Sequence, residues 1–79
     1  MEVSVSPNPA TRYFTLQIKS SSDNVISINV VDAMGRLMEA KQNNGNTNIR
    51  FGQEYKPGIY YAEVIQGAEK KIVKLVKSM

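Results

Sequence analysis

Phe14-Thr15-Leu16-Gln17-Ile18-Lys19-Ser20-Ser21-Ser22-Asp23-Asn24-Val25-Ile26-Ser27-Ile28-Asn29-Val30 is the stretch that decides the fold of this chain. Phe14, Leu16 and Ile18 alternate with Thr15 and Gln17; Ile26, Ile28 and Val30 alternate with Ser27 and Asn29. A period of two puts one set of side chains on one face of an extended chain, so each run predicts a half-buried β-strand. The polar cluster at 20–24 between them reads as a turn.

The same alternation extends in both directions. Val3 and Val5 flank Ser4 in a short first strand that must stop at Pro7. Residues 36–41 predict a fourth strand, although Leu37-Met38-Glu39-Ala40 would also suit a helical turn. Asn43-Asn44-Gly45-Asn46 is a turn of residues that tolerate positive φ. Ile49 and Phe51 alternate in a fifth strand, Pro57-Gly58 precedes a sixth at 59–66, and Gln66-Gly67 turns the chain into a seventh at 69–77. Seven short strands separated by turn signals predict an all-β antiparallel sandwich, one domain over residues 1–79. The expected inward face is Val3, Val5, Phe14, Leu16, Ile18, Ile26, Ile28, Val30, Ile49, Phe51, Val64, Val73 and Leu75.

Composition narrows the function. With 79 residues the chain holds one modest core, and with neither cysteine nor histidine it has no disulfide framework to brace it. The commonest metal ligands and nucleophile–base pairs are missing, so no enzyme activity, metal or cofactor is expected. Net charge is +3, a mild excess, and Phe14 and Phe51 are expected in the core rather than free to stack on bases, so no nucleic-acid partner is expected. No apolar run approaches the roughly 20 residues that span a bilayer, so no direct membrane insertion is expected. Met1 leads at once into Glu2 and an alternating strand rather than a signal peptide. If the domain is exported, its export signal is expected elsewhere in a longer protein, with Met1 a start codon added to a fragment.

Four landmarks punctuate the strands. Pro7-Asn8-Pro9-Ala10 ends the first strand, because Pro9 lacks a backbone donor and forces Asn8 into an extended conformation. Asp32-Ala33-Met34-Gly35 fits a type I turn, with Asp first and Gly fourth. Its lone carboxylate is too few for calcium, and Arg36 is free to pair with Asp32 or to face a partner. Lys56-Pro57-Gly58-Ile59 fits a type II turn, after which Tyr60 and Tyr61 point to opposite faces, one inward and one outward. In the last strand Lys71, Val73, Leu75 and Lys77 share one face, and Lys70, Ile72, Lys74 and Val76 the other. Lysines so placed protect an edge strand from aggregation or serve as a recognition surface, and the two roles are compatible.

In this order, Pro7 to Ala10, Asp32-x-x-Gly35-Arg36, Gly58-x-Tyr60 and the lysine-rich strand Lys70, Lys71, Lys74, Lys77 resemble the type IX secretion C-terminal sorting domain of Bacteroidota proteins, type A, over nearly the whole chain. The resemblance implies an immunoglobulin-like seven-stranded sandwich. It also implies a non-catalytic address at the end of a larger cargo, passing the periplasm, read by the outer-membrane translocon, and removed by a surface sortase as the cargo is anchored or released. Gly35, Arg36, Lys70, Lys71, Lys74 and Lys77 are the expected recognition residues, and Pro7, Asn8, Pro9, Asp32, Gly58 and Tyr60 the residues of the structural turns. An accessory immunoglobulin-like module, binding glycan or spacing domains, is the alternative. It would show as an exposed strip of Tyr13, Tyr55 and Tyr61.

Overall fold

The computed structural model describes residues 1–79 and contains seven strands and no helix. They are β1 (Glu2–Ser6), β2 (Phe14–Lys19), β3 (Val25–Asp32), β4 (Leu37–Asn44), β5 (Thr47–Phe51), β6 (Gly58–Gln66) and β7 (Glu69–Lys77). Two antiparallel sheets, β1-β2-β5 and β4-β3-β6-β7, pack face to face as an immunoglobulin-like sandwich.

The alternating runs supply the core. Phe14, Leu16 and Ile18 from β2 meet Ile26, Ile28 and Val30 from β3, Ala62 and Val64 from β6, and Leu75 from β7, all buried. Burial of this apolar surface, at about 25 cal/mol per Å², is the main force joining the sheets. Val3, Val5, Ile49 and Val73 face inward as expected but are only partly buried, because they sit toward the open sides of the sandwich. A line of rings completes the interior. Phe14 stacks on Phe51 at 5.5 Å, Phe51 meets Tyr55 edge-on at 6.3 Å, and Tyr55 lies 4.7 Å from Tyr60.

Local chemistry differs from the sequence reading at two places. The helical alternative for 37–40 is not taken: β4 is a strand and runs three residues beyond the expected end. It borders β3 with a bulge that leaves Met38 outside the register, Val30 facing Glu39 and Val31 facing Leu37. The Lys56–Ile59 turn is not type II, since Gly58 has a φ of 156° rather than about +80°. The Lys56 carbonyl instead accepts a hydrogen bond of 2.6 Å from the Tyr60 hydroxyl. Gly67 alone carries a positive φ in the two-residue β6–β7 loop, which gives the dihedral signs of a type II′ hairpin.

Candidate recognition surface

The Asp32 turn, the Gly58–Tyr60 segment and the C-terminal half of β7 converge at one end of the four-stranded sheet, with Lys70 and Lys71 toward the other. Asp32 pairs with Tyr60, Tyr60 with Leu75, and Gly58 with Lys77, so the landmarks of β3, β6 and β7 stand side by side. The Asp32 to Arg36 connection is a three-residue hairpin loop. Gly35 N–H donates to the Asp32 carbonyl and Asp32 N–H to the Arg36 carbonyl, each at 2.9 Å. A type I turn closed by a left-handed residue is the geometry of such a loop, and Gly35 takes that position with φ of 85°. The Asp32 side chain, largely covered, ties the loop together. One carboxylate oxygen accepts from Met34 N–H and Arg36 N–H at 2.9 Å, and the other from Arg36 Nε at 2.7 Å. These bonds, led by the one from the Arg36 backbone, hold its carboxyl below the usual carboxylate range against the opposing effect of burial. The Arg36 side chain is 80% exposed even while paired. It is anchored at Nε and still faces solvent.

Pro7-Asn8-Pro9-Ala10 does more than end β1. Both prolines follow cis peptide bonds, and the segment crosses from the first sheet to the outer edge of β7. There the Asn8 side chain donates to the Lys74 carbonyl at 2.8 Å and accepts from Val76 N–H at 2.9 Å, imitating a backbone partner. Ala10 N–H donates to the Val76 carbonyl and Ser78 N–H to the Ala10 carbonyl, forming a short parallel bridge to Lys77. The C-terminal half of the β7 edge is therefore covered by the first motif.

The four lysines of β7 separate. Lys70 and Lys74 lie on the outer face, Lys70 paired with Glu63 at 3.0 Å. Lys71 is exposed on the opposite side of the strand. Lys77 is only 5% exposed, and its ammonium donates into the interior, to the carbonyls of Gly52 and, at 3.3 Å, Gln53. Gly52, with φ of 85°, has no room for a side chain, because a Cβ there would stand 3.0 Å from Phe14 and 3.1 Å from Tyr55. Lys77, Gly52 and Gln53 thus form a buried tie between β7 and the β5–β6 loop.

Of the tyrosines, Tyr60 turns inward and Tyr61 outward, as their alternation requires. Tyr55 is buried, and its hydroxyl donates to Glu39 at 2.7 Å; burial and the neighbouring carboxylate push its pKa upward. Tyr13 lies under the Arg50 guanidinium, 4.8 Å from it, so Tyr13, Tyr55 and Tyr61 do not form a strip. Sequence reading also missed Gln66. Buried at the end of β6, it accepts from the Ser20 hydroxyl and donates to the Asn24 carbonyl at 2.9 Å, fastening the crossover between the sheets. No cluster of three or more His, Cys, Asp or Glu side chains is present.

Known proteins align with this sequence. The model of the secretion system C-terminal sorting domain matches residues 4–78. An endo-acting ulvan lyase of Formosa agariphila is 33% identical over 64 residues, covering 80% of this chain and 12% of the lyase. The chain thus spans about an eighth of that relative's length. The matched family comprises non-catalytic signals that direct export to the cell surface or the extracellular space. With its four motifs assembled on one sandwich, the chain belongs to the type IX secretion C-terminal sorting domain family.

Proposed function

We propose that residues 1–79 form a single sorting domain at the end of a larger secreted protein. The domain is read in the periplasm by the type IX outer-membrane translocon and removed by a surface sortase as the cargo is anchored or released. The observation that carries this reading is the family match over residues 4–78, on a chain whose four motifs lie on one folded sandwich. The ulvan lyase supports it as a relative named for an enzyme, of which only a small part aligns.

The recognition elements proposed are the Gly35-Arg36 turn and the outer lysines of β7. A small sandwich holds them in a fixed geometry, which keeps the entropic cost of binding low. Strand addition is the docking mode proposed for β7. Val76 directs both backbone groups away from β6, so by the two-residue period Lys70, Ile72 and Lys74 do the same. Only the part N-terminal to the Asn8 clamp is open to such pairing. Lys77, being buried, supports this surface from within.

The test is a periplasm-targeted fluorescent protein carrying the chain at its C-terminus in a Bacteroidota host. Reporter at the surface or in the medium, with the domain absent from its intact mass, is the expected result. A folded reporter held in the periplasm would refute the reading, and secretion with the domain still attached would remove the sortase from it.

A further inference from the structure

The Arg36 turn and the β7 lysines belong to the first and last strands of the sheet order β4-β3-β6-β7. Three inter-strand spacings separate those strands, roughly 14 Å in all. What lies between them is largely apolar, interrupted by Asn29 and Glu63. The register aligns Leu37, Val31, Tyr61 and Lys74 in one row across all four strands, with Ala40, Asn29, Glu63 and Ile72 in a neighbouring row. Both rows face outward, away from the sandwich core. Leu37 is 62% and Ile72 59% exposed, and together with Val31 and Tyr61 they line a shallow depression over the middle strands.

Such a face is costly to leave in water, and no strand, loop or terminus of the chain covers it. Its margins are cationic. Arg36 stands beside Leu37 at one side, and Lys70 and Lys74 beside Ile72 at the other. The one carboxylate within it, Glu63, is bound to Lys70. A second copy laid on this face would bring cationic margins against each other whenever the two apolar centres met. A protein surface with an apolar centre and carboxylates around it would satisfy both features.

We propose that the outer face of the β4-β3-β6-β7 sheet, centred on Leu37, Val31, Tyr61 and Ile72, is a docking surface for an acid-rimmed apolar patch on a protein of the export machinery. The inference rests on the sorting reading above and locates its contact. The apolar rows are the dry centre, and Arg36, Lys70 and Lys74 are the rim that sets orientation and encounter rate. The separation of the Arg36 turn from the β7 lysines then has a simple cause: they flank one interface.

The test compares export of the reporter fused to the unaltered chain with export of Leu37→Asp and Ile72→Asp fusions. Both residues are more than half exposed and on different strands, so loss of folding in one leaves the other informative. Each is expected to reduce the secreted fraction about tenfold or more, with the unfolding midpoint of the isolated chain nearly unchanged. Ile72→Lys is expected to lose less than Ile72→Asp, because the facing margin is acidic. Val25→Asp, exposed on the same sheet but paired with Asn44 at its far end, is expected to be exported normally. Normal export of both folded aspartate variants would overturn the proposal. So would equal loss from Val25→Asp, equal loss from Ile72→Lys and Ile72→Asp, or a dimer of the unaltered chain that Leu37→Asp and Ile72→Asp both dissociate. Failure of the unaltered fusion to leave the periplasm would instead overturn the sorting reading itself.

Discussion

At the scale of single residues, Asp32 and Lys77 show two ways in which a charged side chain serves a fold. Asp32 organises its own neighbourhood, accepting hydrogen bonds from residues two and four positions on. That role was legible in the sequence, because Asp first and Gly fourth is local turn chemistry. Its carboxyl is held below its ordinary range, so the unfolded chain binds the proton more readily than the folded one. The stability it contributes is complete above the unfolded value of about 3.9 and is lost as pH falls through the lower folded value. Thermal melts should therefore show Asp32→Asn less stable than the parent at pH 7, with the gap narrowing below about pH 4. A gap that did not change with pH would assign the loss to geometry alone. Lys77 works at a distance, through carbonyls 24 and 25 residues away. Alternation correctly placed it beside Leu75, but charge suggested solvent, and only the folded β5–β6 loop reveals its partners. Lys77→Met keeps the stem and leaves two carbonyls without their donor, an expected cost of about 1–3 kcal/mol. In a domain of this size that corresponds to a fall of about 4–8 °C in the melting midpoint for each kcal/mol. An unchanged midpoint would show the ammonium to be dispensable.

At the scale of elements, the seven strands were readable because apolar and polar residues alternate regularly in β2 and β3 and turn signals bound the rest. Their division between two sheets was not. Nothing local in Pro7-Asn8-Pro9-Ala10 announces that the chain leaves β1 and the first sheet for the edge of β7, since the bonds concerned join residues 66 to 68 positions apart. The length of β4 was also hidden, because its residues are largely exposed and carry no alternation. Asn8 is a sharp probe of this level. Asn8→Ala removes a donor and an acceptor from an exposed edge where water replaces them, at an expected cost of about 0.5–1.5 kcal/mol. Hydrogen exchange should quicken at the Val76 amide, which Asn8 protects, and stay slow at Leu75, which faces β6. Equal quickening at both would mean that the whole strand, rather than its cover, had loosened.

At the scale of the molecule, a chain of this size depends on a single core, and on the proposed reading the sorting signal depends on that core too. Leu75 is fully buried beside the basic surface it supports. Leu75→Ala should cost about 2–5 kcal/mol, a large share of the stability of so small a domain. Calorimetry should show the midpoint falling by about 8 °C or more, and export should fall with the folded fraction. Export that persisted in an unfolded variant would mean that the signal is read as linear sequence. The motifs of the candidate surface were each legible as turn or strand chemistry, and their order gave the family. Their placement around one sheet, with an apolar face between the cationic margins, required the register of four strands. On the proposed reading the folded sandwich is itself the address. The direct measurement is the surface or extracellular fraction of a periplasm-targeted fluorescent protein bearing residues 2–79, in Bacteroidota strains with and without a working type IX translocon. The expected result is export in the competent strain alone; a reporter that is folded, intact and periplasmic in both would show that the sandwich is not a sorting signal.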